Sequence, residues 1–130
     1  MKHASILVIA ALLYLAGNCA YAHSPKEIDM EFNMTSQTLV LEVDHGVIAP
    51  SAHYVSRVQI WVNERPPVEK TFEKQDTKKS LKAEIPLKAI RKGDEIKVKA
   101  HCNIAGDKTA TLMAGEEKPA AKEEEADGSE

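Results

Sequence analysis

Between residue 23 and the C-terminus the side chains able to bind a metal through nitrogen or sulfur are His23, His45, His53, His101 and Cys102. Imidazole and thiolate together suit zinc, copper or iron, whereas magnesium and calcium prefer oxygen. His45 and His53 bound the segment HGVIAPSAH, which reads as a loop, and a loop with an imidazole at each end can bring two rings to one point. Cys102 continues the alternating row Ile96, Val98, Ala100, so its side chain is expected to face inward where a strand opens into the turn NIAGD. His101 is expected on the opposite, solvent side, and becomes a further ligand only through a local bulge.

The other cysteine, Cys19, decides whether Cys102 has a partner. Met1-Lys2-His3 is a basic start, ASILVIAALLYLA is an apolar run, and Ala20-Tyr21-Ala22 is a small-x-small cleavage site. Residues 1–22 therefore read as a secretory signal peptide, bacterial in type and cleaved after Ala22, rather than a membrane span. Asn18 before Cys19 argues against lipid attachment there. The expected location is periplasmic or secreted, and the mature chain starts at His23 with a single thiol. In an oxidising compartment a lone thiol reads as a metal ligand or reactive group, against the plainer reading of an inert buried cysteine.

Charge narrows the classes further. Residues 116–130 carry seven acids and two lysines and show no apolar period, so residues 115–130 are expected to be a disordered acidic tail. The remainder, from residue 23, is close to electrical balance and has no basic field, which excludes nucleic acid as a partner. No Ser-His-Asp set, phosphate loop or paired-carboxylate motif points to a hydrolase or nucleotide enzyme.

The elements that must hold these ligands are strands. Apolar residues alternate at Ile28, Met30 and Phe32, at Leu39, Leu41 and Val43, at Val58, Ile60 and Val62, at Leu81, Ala83 and Ile85, and at Ile96, Val98 and Ala100. Val68 to Phe72 and Thr109 to Met113 add two more. Turn residues fall between them at Asn33 to Gln37, Glu64 to Pro67, Lys92 to Asp94 and Gly106-Asp107. Residues 86–92 read as a turn or a single helical turn. About seven short strands over residues 23–114 predict one all-β domain, an immunoglobulin-like antiparallel β-sandwich.

Three segments, in order and spacing, resemble the iron-binding domain of the superoxide reductases (desulfoferrodoxin and neelaredoxin): HSP at 23–25, HGVIAPSAHYV at 45–55 and CNIAG at 102–106. The resemblance spans nearly all of residues 23–114. It implies a mononuclear non-haem iron held by His23, His45, His53 and Cys102, with imidazoles in a plane, the thiolate on the axis and an open position opposite. It also implies superoxide as substrate and an electron-donor protein as partner. The chain departs from the pattern at three places. Ala105 stands where a fourth histidine is expected, Gly46 follows His45 where proline is usual, and no lysine stands just before His23, where Ala22 is found. Iron binding is thus the first expectation and superoxide reduction a narrower one, with His101 or the His23 amine as a substitute fourth nitrogen. Two alternatives stand beside it: a copper carrier using the amine and imidazole of an N-terminal His23, and a metal-free β-sandwich interaction module.

Overall fold

The computed structural model describes residues 23–116. The expected signal peptide and all but the first two residues of the expected tail lie outside the described residues. Seven antiparallel strands form: β1 (Glu27–Asn33), β2 (Thr38–Asp44), β3 (Val55–Val62), β4 (Val68–Thr71), β5 (Ser80–Pro86), β6 (Glu95–Cys102) and β7 (Asp107–Met113). They make two sheets, ordered β1-β2-β5 and β4-β3-β6-β7. This is the all-β sandwich that the alternation predicts. No helix among the described residues is long and apolar enough to cross a membrane.

Period-two burial explains the two layers. On β1 and β2 every second residue, from Ile28 to Phe32 and from Leu39 to Val43, is buried, and the residues between are mostly acidic and exposed. The facing sheet contributes Val55, Val58, Ile60 and Val62 from β3 and Ile96, Val98 and Ala100 from β6. Leu39, Val43, Val58, Ile60, Ile96 and Val98 are wholly excluded from solvent, so the core lies between β2 and the β3/β6 pair.

One sequence expectation changes, and one left open is decided. Val68 on β4 was expected to be half-buried, but all four residues of that strand are exposed. β4 is the edge of the wider sheet, and the three-stranded sheet opposite has no fourth strand to cover it. Residues 86–92 form a turn without a helix. Leu87 and Ile90 are buried there, and the Gln37 side chain clasps the segment by accepting from Ile90 N–H at 2.8 Å and donating to the Ile90 carbonyl at 3.2 Å.

Strand direction places the chemistry. β1 runs antiparallel to β2, β2 to β5, and β3 to both β4 and β6. The pairs Glu27 with Asp44, Asp44 with Ser80, and Val55 with Cys102 all lie toward the same pole. The segment before β1, the β2–β3 loop, the β4–β5 connection and the end of β6 therefore meet there. Turns from Asn33 to Gln37 and from Arg91 to Asp94 close the opposite pole.

Candidate metal centre

His45, His53 and Cys102 each offer a ligand atom, and these three atoms lie within 4.8 Å of one another. The imidazole of His23 lies beside this group without belonging to it, its ring centre 5.0 Å from that of His45 and 5.3 Å from that of His53. The His45 and His53 rings are 4.7 Å apart, and all three pairs meet edge to face. The four residues singled out by the sequence are thus brought together. Zinc sites, as a yardstick, use bonds of about 2.0–2.1 Å to nitrogen and about 2.3 Å to sulfur, which small side-chain movements would reach from these separations.

Each donor is held by its own local structure. Cys102 ends the inward row of β6 and is buried, and its N–H donates to the Gly106 carbonyl at 3.0 Å, closing the turn NIAGD. Its sulfur lies 3.0 Å from Nε2 of His53, and the Ile104 N–H points at it from 3.5 Å. His53 is set by a tight turn in which its N–H and that of Ala52 donate to the Ala49 carbonyl at 2.9 and 3.0 Å. Asn103 then staples the two loops. Its N–H donates to the Tyr54 carbonyl, its Oδ1 accepts from Tyr54 N–H, and its Nδ2 donates to the Ala52 carbonyl, each at 2.9 Å.

His45 is wholly buried, between β2 and the core, and its N–H donates to the Lys79 carbonyl at 2.8 Å. Its Nδ1 meets Oε1 of buried Gln75 at 2.5 Å, and its Nε2 meets the His23 carbonyl at 3.2 Å. His23 is exposed, but the segment behind it is anchored: Pro25 is buried and the Lys26 N–H donates to the Asp44 carbonyl at 2.7 Å. The His23 Nδ1 lies 3.2 Å from the Ser24 carbonyl, an acceptor to which a protonated Nδ1 donates, leaving the lone pair of the neutral ring on Nε2. Gly106 permits this approach. Its φ is +88°, and a Cβ there would sit 2.4 Å from Ser24 Oγ and 2.9 Å from Ser24 N.

The donor set fits a borderline-soft cation. Burial, then the nearby rings of His45 and His23, hold the His53 imidazole below its usual pKa and so favour the neutral, ligating form. Nε2 of His45 faces the His23 carbonyl at 3.2 Å, and it offers a lone pair to a cation when the ring proton sits on Nδ1. A depression opens over His23 and His53, walled by Val47, Ile48, Ala49 and Ile104, with Lys78 at its edge. The centre is therefore reachable by small molecules on its imidazole side.

His101 is not brought to the cluster. β3 carries the irregularity, between Val55 and Arg57, and leaves His101 on the outer face. There its Nε2 meets Gln59 Oε1 at 2.8 Å and its Nδ1 lies 3.9 Å from Asp107. Ala105 is exposed in the turn after Cys102. Gln75 and Lys78 escape sequence reasoning, because the segment QDTKK has no apolar period or ligand spacing that marks it. Comparison with known proteins finds no family model, no characterised relative and no solved structure that matches the chain.

Proposed function

We propose that this chain is an exported mononuclear iron protein whose ion is held by the imidazoles of His23, His45 and His53 and the thiolate of Cys102. The observation that carries the reading is the convergence of His45, His53 and Cys102 within 4.8 Å, with the His23 ring against both histidines. A metal-free interaction module would leave that convergence without a role. Iron rather than zinc follows from the resemblance of HSP, HGVIAPSAHYV and CNIAG to the superoxide reductases.

Iron bound there supplies a one-electron couple, and reduction of superoxide to hydrogen peroxide needs one electron and two protons. The chain's own residues divide the remaining work. Cys102 donates charge from the interior side, and the Ile104 N–H bonded to its sulfur tempers that donation. Lys78 places a cation at the mouth, where the resemblance expects a lysine from a different segment, and draws anions toward His23 and His53. With three imidazoles instead of four, the reductase activity is expected to be weak, and an electron-donor protein is the partner it requires.

Copper bound by the amine and imidazole of a terminal His23 is the second reading, favoured by the exposure of that residue beside two further imidazoles. Two variants of the mature protein distinguish the metals. For iron, Cys102→Ser abolishes a thiolate charge-transfer band in the oxidised protein, and one extra residue ahead of His23 leaves the band in place. For copper, the extra residue removes the metal and Cys102→Ser does not. The second pattern would overturn the iron reading.

A further inference from the structure

The geometry points to Gln75 as the positioning residue that fixes the tautomer of His45 and thereby its strength as a donor, an inference that rests on His45 being a ligand as proposed above. Gln75 is 2% exposed and spends its whole hydrogen-bonding capacity around this histidine. Its Oε1 accepts from His45 Nδ1 at 2.5 Å and from the Val55 N–H at 3.0 Å. Its Nε2 donates to the His45 carbonyl at 2.9 Å and to the Thr77 carbonyl at 3.3 Å. Its own N–H donates to the Pro50 carbonyl at 3.0 Å, which ties it to the loop carrying His53.

Backbone groups dictate the direction of that amide. Turned over, its NH2 would face the Val55 N–H, and its oxygen would face two carbonyls. With Oε1 fixed toward the ring, Nδ1 of His45 must carry the proton, and the neutral ring keeps its lone pair on Nε2. That nitrogen lies on the His23 side. A histidine free to choose could instead place the proton on Nε2 and donate it to the His23 carbonyl, which would remove it as a ligand. Gln75 forbids this choice.

The amide also sets how strongly the ring donates. A carboxylate behind a metal-bound imidazole raises its basicity, and partners of this kind typically change metal affinity 10–100-fold. Glutamine gives the same directional bond without a negative charge, so His45 stays a moderate donor. Gln75→Glu retains an acceptor for His45 Nδ1–H and Val55 N–H and adds charge, but its second oxygen replaces the NH2 that donates to the His45 and Thr77 carbonyls.

The first test needs no metal. In 15N-labelled, metal-free wild-type protein at mildly alkaline pH, long-range proton–nitrogen correlations of His45 are expected to show a protonated Nδ1 and a bare Nε2. A ring protonated at Nε2, alone or with Nδ1, would overturn the assignment. The second test uses zinc ion, which is redox-inert, in calorimetric titrations. Gln75→Met should bind it about 10–100-fold more weakly than wild type, and Gln75→Glu several-fold more tightly. Both variants strand the His45 and Thr77 carbonyls, so each is checked first for a native fold; where neither folds the wild-type tautomer decides, and unchanged affinity in a folded Gln75→Glu would overturn the tuning role. A wild type with the expected tautomer that takes up no zinc would overturn the tuning role and count against the metal site, while the fixed ring would stand.

Discussion

Cys102 is buried and has no disulfide partner among the described residues, and its neighbours are polar. The thiol ends an inward strand row, yet it faces His53 Nε2 and the Ile104 N–H instead of more hydrocarbon. The alternation of β6 made that orientation legible, as the HGVIAPSAH span did for His45 and His53. Gln75 was not legible, because its role depends on a crossing between sheets that no local pattern records. The missing ligand can be tested at the same scale. Ala105 is exposed in the turn that follows Cys102, where a larger side chain need not disturb the core. Ala105→His is expected to raise both iron occupancy and superoxide consumption after anaerobic loading. If neither the variant nor wild type takes up iron, the domain keeps the fold without the chemistry, and if both load fully, three imidazoles and a thiolate already saturate the site.

Among the elements, the two crossings between the sheets do the assembling. The β2–β3 loop carries His45 and His53 from one sheet to the other, and the β4–β5 connection returns past them with Gln75 and Lys78. The segment before β1 is the weakest arm, since His23 lies beyond its anchors at Pro25 and Lys26 and its neighbour Ser24 packs closely on Gly106. The CNIAG motif showed a glycine there, but its physical reason, a close approach by a segment some eighty residues earlier, appears only in three dimensions. Gly106→Ala must strain a positive-φ position and push Ser24 away. The backbone strain alone is worth about 1–2 kcal/mol, measurable by denaturant unfolding of the metal-free protein. Metal affinity should fall as well, because His23 moves with Ser24. Unaltered affinity in a destabilised variant would show that His23 is not a ligand.

For the molecule as a whole, the sandwich and the site are separable. Most of the fold could be read from period-two alternation, whereas the exposure of β4 could not, since an edge strand has the same local pattern as an interior one. Leu41 lies at the middle of β2, four residues before His45, and is 1% exposed within the core. Leu41→Ala should cost about 2–5 kcal/mol of stability while leaving metal stoichiometry unchanged at temperatures where the protein is folded. Loss of the metal from the folded variant would mean the centre depends on core packing. Acid should act on the metal-free protein through His53 and His101, both held below the usual 6.5, first by burial and then by nearby positive groups. A depressed histidine contributes stability that is full above 6.5 and lost as pH falls through its lower folded value. The thermal midpoint of the metal-free protein should therefore drop as pH is lowered from about 7 toward 5, and should drop less in a His53→Ala, His101→Gln double variant.

The most direct measurement of the central claim is X-ray absorption at the iron edge of protein loaded anaerobically with one equivalent of ferrous ion. The account predicts a first shell of nitrogen scatterers with a single sulfur, the sulfur vanishing in Cys102→Ser and the imidazole signature weakening in His53→Ala. A shell of oxygen and nitrogen alone in the wild type, or iron that washes away without leaving a stoichiometric complex, would contradict it.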